Sequence, residues 1–190
     1  LLSENILLSF ESSLFYFRFL PFVLCISYLI NKDKSFLKYI FYGFLISFLV
    51  LLIDSYFQYF SGYNFLGFQY DNIRLSGIFN EEKKLGSYLS RLSPIFIGIS
   101  ILLYGSSRNK IVLILILIIL IDVLVVLSGE RTSIFYMTVS TFLISILISK
   151  WKIYRLIAFI ISIVISVTII LTNDNVKERD LTKTIDQTNI

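Results

Sequence analysis

The chain has 190 residues, 56% of them hydrophobic, and a formal net charge of +4, with a mean hydropathy of +0.82. Such values exclude an ordinary soluble domain and make the lipid bilayer the solvent for most of the chain. One cysteine, Cys25, allows no intrachain disulfide and no metal pattern, and the lack of histidine excludes imidazole chemistry within these residues.

Six apolar spans are expected, at about 12–30, 36–58, 85–104, 111–127, 133–149 and 153–172. Each is long enough to approach the roughly 30 Å of bilayer hydrocarbon at 1.5 Å per residue. A span must satisfy its own backbone hydrogen bonds, so these are helices; the roughly ten-residue alternating segments of a β-barrel are absent. The fold class is therefore all-α integral membrane, with about six transmembrane helices, a polar outer loop at 59–84 and a polar C-terminal tail. Residues 1–172 read as the transmembrane domain and 173–190 as the start of an extracytoplasmic loop. The chain begins at Leu1, and its only methionine is Met137, so it is expected to be an internal piece of a longer reading frame.

The pI of about 9.1 does not signal nucleic acid, because the basic residues cluster in short loops between spans. Segments 31–38, 105–110 and 150–155 carry eight basic residues (Lys32, Lys34, Lys38, Arg108, Lys110, Lys150, Lys152 and Arg155) against one acid, Asp33. They alternate onto one side, which is expected to be cytoplasmic. The other side receives loop 59–84, the 128–132 turn and the tail 173–190, with seven basic residues spread through longer segments and diluted by acids such as Glu81 and Glu130.

Charges inside spans carry a cost of roughly 2.5–3.5 kcal/mol on insertion scales, so they pair, snorkel or serve a function. Arg18, Asp54, Arg91 and Asp122 all fall in the outer halves of their spans in this topology. A polar cavity opening outward is the simplest common cause.

Two polar stretches on that outer side carry arginines. One is Arg74-Leu75-Ser76-Gly77-Ile78-Phe79-Asn80, followed by Leu85-Gly86-Ser87-Tyr88-Leu89. Ser76-Gly77 signals a turn, and Asn80 and Glu81 are candidate caps for the next helix. The other is Ser128-Gly129-Glu130-Arg131-Thr132. Gly129 permits a tight bend, Ser128 or Thr132 is a candidate cap, and Arg131 falls beside a helix N-terminus, which favours anions. A planar guanidinium suits phosphate because it gives two parallel charged hydrogen bonds. Glu130 is positioned to orient Arg131 or to repel a wrong ligand.

The first stretch resembles the "R-x-x-G-x-F-x-x-x-N-x-x-G-x-Y" segment of bacterial O-antigen ligases and O-antigen polymerases, and the second resembles their "S-G-S-R-G" turn. Glu130 stands where that turn has a small residue, and Asn80 comes earlier than the usual asparagine. The order of spans, basic loops and outer turns over roughly residues 36–185 is similar too. The resemblance implies a polytopic glycosyltransferase of the bacterial inner membrane, working on its outer, periplasmic side. It would transfer a glycan from an undecaprenyl-diphosphate donor to a glycan or lipid acceptor hydroxyl, without metal or other cofactor. By motif position Arg74 and Arg131 would bind the diphosphate, with Glu130, Arg91, Asp54 and Asp122 in support; the family's histidine base has no counterpart here. Membrane lipids are the remaining expected partner. The competing reading is a transporter or flippase for a lipid-linked or anionic substrate, since charges in spans also mark transport pathways.

Overall fold

The computed structural model describes residues 14, 17, 19–70, 74–82, 84–105, 107–148 and 151–172. Arg18, Lys150 and the tail 173–190 lie outside the described residues, as does the start of the first expected span. The described residues are all-α: α1 (Phe19–Lys32), α2 (Ser35–Ser61), a 3-10 turn (Gly77–Glu82), α3 (Leu85–Tyr104), α4 (Arg108–Leu127), α5 (Arg131–Leu147) and α6 (Lys152–Thr172). Residues 1–42 and 43–190 form two compact units.

In the first unit, α1 has no buried residue. Asp33 starts α2: its carboxylate accepts the Ser35 N–H at 2.8 Å, as an N-cap acid does. In the second unit, α3 to α6 form a bundle with the neighbour order α3–α4–α6–α5, so the consecutive helices α4 and α5 lie across a diagonal. The remainder of α2 is pinned to α3 by Phe48 against Phe96, edge to face at 5.3 Å, and to α4 by the Tyr56 hydroxyl, which donates to the Leu120 carbonyl at 3.0 Å.

The residue pattern explains that order. α4 is apolar on every side but for Asp122, and it buries Ile114, Ile118, Ile121, Leu124, Val125 and Leu127. α3 turns a stripe of Leu85, Leu89, Ser93, Phe96, Ile97 and Ser100 inward. α5 buries Ser133, Met137, Thr141 and Ser145, and Trp151, just ahead of α6, is buried together with Arg155, Ala158, Ser162 and Ser166 of α6, again at helical spacing. Small side chains let helix backbones approach in lipid, where water supplies no driving force. Thr141 Oγ donates to Met137 O at 2.9 Å and Ser145 Oγ to Thr141 O at 2.8 Å, whereas Ser166 Oγ is buried without a hydrogen-bond partner.

Among the described residues, four helical segments are long and apolar enough to cross a membrane: Ser35–Ser61, Leu85–Tyr104, Asn109–Leu127 and Lys152–Ile169. α1 and α5 are apolar but shorter, at 14 and 17 residues. Against the six expected spans, the described residues thus supply about four, and the first expected span begins outside them. α5 is held to 17 residues because the turn before Arg131 and the break at Ile148 cut the run at both ends, leaving about 25 Å of helix.

Arg155 is a second correction. Sequence reading puts it in a basic loop, but it lies one turn inside α6 and is 1% exposed. Its Nη1 donates to Asp122 Oδ2 at 2.5 Å and its Nη2 to Asp122 Oδ1 at 3.3 Å, with a further bond from Nη2 to Thr141 Oγ at 2.7 Å. A guanidinium inside the bundle satisfies a carboxylate that is itself 0% exposed, and the pair ties α4, α5 and α6 together. Removing Arg155 from the loop tally leaves seven basic residues, equal to the seven on the other side. Charge density alone then carries the inside-outside argument.

Candidate functional site

The polar end of the second unit is built from α2 outward. After Ser61 the chain folds back through a tight excursion closed by a bridge between Tyr63 and Gln69. Three buried side chains shape it. Asn64 Oδ1 accepts the Leu66 and Phe68 N–H groups at 3.0 and 2.8 Å, and its Nδ2 donates to Gly77 O at 3.0 Å. Gln58 Oε1 accepts the Gly77 N–H at 2.7 Å. Asp54 accepts the Phe65 N–H at 3.2 Å and Asn64 Nδ2 at 3.4 Å. Asp54 thus meets the backbone of its own loop, which explains a carboxylate near the end of an apolar helix.

From Arg74 the chain enters the bundle edge. The Leu75 N–H donates to the Leu127 carbonyl at 3.4 Å, so the residue after Arg74 is bonded to the end of α4, four positions before Arg131. The 3-10 turn follows, with Asn80 in the left-handed region at φ +47°. Asn80 is therefore a turn residue and not the helix cap expected from its type; the residue preceding α3 is Lys84, which makes no side-chain capping bond.

The cap comes from Glu130 instead. Its Oε1 accepts the Gly86 N–H at 2.8 Å and its Oε2 the Ser87 N–H at 3.0 Å. The Ser87 hydroxyl makes a short bond to the same carboxylate, and the Ser133 hydroxyl donates to it at 2.9 Å. The first N–H groups of a helix have no partner within it, and their dipoles favour an anion, so a carboxylate here satisfies two donors and a charge preference together. Gly86 makes the approach possible: a Cβ on it would lie 2.2 Å from Ser128 Oγ and 3.1 Å from Glu130 Oε1. Gly129, at φ +68°, supplies the bend expected of it. Ser128 does not cap α5; its hydroxyl turns back to Val125 O at 2.7 Å, closing α4. The α5 N-cap is Glu130, whose carbonyl accepts the Ser133 and Ile134 N–H groups.

Beside this junction is a cavity of about 420 Å³ lined by Phe79, Glu82, Lys84, Ser87, Tyr88, Arg91 and Leu92. Lys84 pairs with Glu82 at 2.8 Å. Phe79 and Tyr88 face each other at 5.6 Å, and Arg91 lies 5.8 Å from the centre of the Tyr136 ring on α5. The lining thus offers two cations, one anion, two hydroxyls and two aromatic faces.

The six candidate residues divide into four places. Arg91 lines the cavity. Glu130 holds the junction beside it, and the exposed Arg74 and Arg131 flank that junction. Asp54 holds the outer loop, and Asp122 pairs with Arg155 inside the bundle. The expectation of one polar cavity beneath Arg74 and Arg131, built from Asp54, Arg91 and Asp122, is replaced by these separate networks. Sequence reading missed Lys84, Ser87 and Ser133. Ser87 carried a signal, since it directly follows the glycine that opens α3. Among the described residues no three His, Cys, Asp or Glu side chains are grouped to hold a metal ion.

Comparison with known protein families, with characterised proteins and with solved structures finds no match to this chain. Fold and composition define its class as an all-α membrane protein.

Proposed function

We propose that this chain is the membrane part of a glycosyltransferase of the O-antigen ligase or polymerase type, moving a glycan from an undecaprenyl-diphosphate carrier to an acceptor hydroxyl. One observation carries the reading: the two arginine-bearing motifs meet in space. Glu130 of the second binds Gly86 and Ser87 of the first across 44 and 43 residues of chain, and Leu75 bonds to Leu127. In this reading the junction faces the periplasm, and the basic segments 31–38 and 105–110 face the cytoplasm.

The chemistry needs little else from these residues. Departure of a lipid diphosphate builds negative charge on the leaving oxygen. Fixed guanidinium groups at a low-dielectric membrane edge stabilise that charge without a metal. Arg74 and Arg131 flank the junction for that task, and Lys84 and Arg91 add positive charge along the cavity. The sequence holds no histidine, so an imidazole base is not among these residues.

The test is glycan transfer by the full-length protein in membranes. Arg74→Ala and Arg131→Ala should each raise the barrier by about 2–4 kcal/mol, as loss of an oxyanion-stabilising donor does. Arg131→Lys should fail nearly as badly, because lysine lacks the planar fork. Wild-type transfer by Arg131→Ala at normal expression would sink the proposal. The competing transporter reading has one feature in its favour, the charged pair Asp122–Arg155 inside the helices. Substrate flux in proteoliposomes without any glycan transfer would favour it.

A further inference from the structure

The carboxylate of Glu130 is in an unusual place for an acid next to a candidate phosphate-binding arginine. It takes hydrogen bonds from two backbone N–H groups and two hydroxyls, drawn from α3 and α5. The two serines also approach each other, with 3.3 Å between their hydroxyl oxygens. One turn further along both helices, Arg91 of α3 meets Tyr136 of α5. The outer ends of α3 and α5 are thus in register over two successive turns, and Glu130 is the group that fixes the first.

Two features make this tie sensitive to position. Gly86 leaves no slack, since a single added methyl would collide with Ser128. Ser87 belongs to both sides: its hydroxyl and N–H hold Glu130, and its side chain is a wall of the cavity with Lys84 and Arg91. A shift of the 128–132 turn therefore moves Arg131 relative to that cavity.

We infer that Glu130 is a positioning residue: its carboxylate clamps the turn carrying Arg131 onto the N-terminus of α3, setting the distance between Arg131 and the cavity lined by Lys84 and Arg91. Glu130 spends its oxygens on protein donors and touches no reacting group. The geometric part of the inference stands alone; its effect on transfer rests on the function proposed above.

Both parts are tested on the full-length protein with three variants. Glu130→Ala removes the clamp. Gly86→Ala leaves the carboxylate in place but pushes the turn away. Glu130→Gln keeps one side-chain oxygen for one of the two N–H groups, and its amide donates to the serine hydroxyls as they rotate, so it loses one backbone bond and keeps the rest of the tie. The geometric readout is the distance distribution between nitroxide labels at Ile95→Cys and Thr132→Cys, with Cys25→Ser as background. Glu130→Ala and Gly86→Ala should broaden or shift it, and Glu130→Gln should keep it close to wild type. The functional readout is kcat/KM for glycan transfer, with a roughly hundred-fold fall for the first two variants, the scale expected of a misplacement of about 1 Å. Most activity should survive in Glu130→Gln. An unchanged distribution in Glu130→Ala overturns the clamp. Equal loss of transfer in Gln and Ala, with the Gln distribution unchanged, also overturns the inference, because it makes Glu130 a chemical participant. A broadened distribution with wild-type transfer leaves the clamp standing and removes the link between this junction and transfer.

Discussion

Replacing Arg155 by alanine is the most direct test of the structure. The substitution removes both hydrogen bonds to the Asp122 carboxylate and the bond to Thr141. What remains is a carboxylate with no exposure to solvent, among apolar helices. Breaking a buried pair from one side typically costs about 3–5 kcal/mol, because the remaining charge is left uncompensated. The intact pair is worth much less than that. Arg155 Nε is buried without a hydrogen-bond partner, a defect worth roughly 1–3 kcal/mol, and desolvation offsets much of the attraction. The double variant Asp122→Leu/Arg155→Leu should therefore lie within about 1–2 kcal/mol of wild type. The coupling from the double-mutant cycle closed by the single variants Asp122→Leu and Arg155→Leu should exceed roughly 2 kcal/mol. Unfolding of the purified protein by denaturing detergent in mixed micelles, followed by circular dichroism, measures all four stabilities. Arg155→Ala and Asp122→Ala costing under about 1 kcal/mol each, with no coupling, would refute the buried pair and return Arg155 to the membrane surface.

Other outcomes follow from single contacts. Arg155→Cys, in the Cys25→Ser background, should resist a membrane-impermeant maleimide, whereas Lys152→Cys should react; equal labelling would contradict the burial of Arg155. Thr141→Val keeps the shape but removes the oxygen that accepts Arg155 Nη2, and should cost about 1–3 kcal/mol in the same unfolding assay. Asn64→Ala deletes four bonds that shape the outer loop; hydrogen exchange should rise across residues 62–70 and 74–77 while α4 keeps its protection, and unchanged exchange in that loop would contradict the network. Lys32→Gln combined with Lys34→Gln should produce a mixed orientation in a topology-reporter assay, since the proposed topology has seven basic residues on each side.

The helices themselves were legible from the sequence. The expected span at 85–104 coincides with Leu85–Tyr104, and 153–172 differs from Lys152–Thr172 by one residue. An apolar run must satisfy its backbone locally, so its own composition determines where it begins and ends. Gly129 as a bend was legible for the same reason. The pairings were not. Asp122 inside an apolar run announced that it needed a counter-ion, but nothing local named Arg155, 33 residues away. The one available hint was the stripe Trp151, Arg155, Ala158, Ser162, Ser166, whose helical spacing puts Arg155 on a face of small residues and not in a loop. Glu130 read as a neighbour for Arg131, yet its carboxylate serves donors 43 and 44 residues back. Helix extent is a property of each segment, so the sequence by itself determined it. Which charge meets which depends on the rotation and register of helices against one another, and only the assembled bundle decides those.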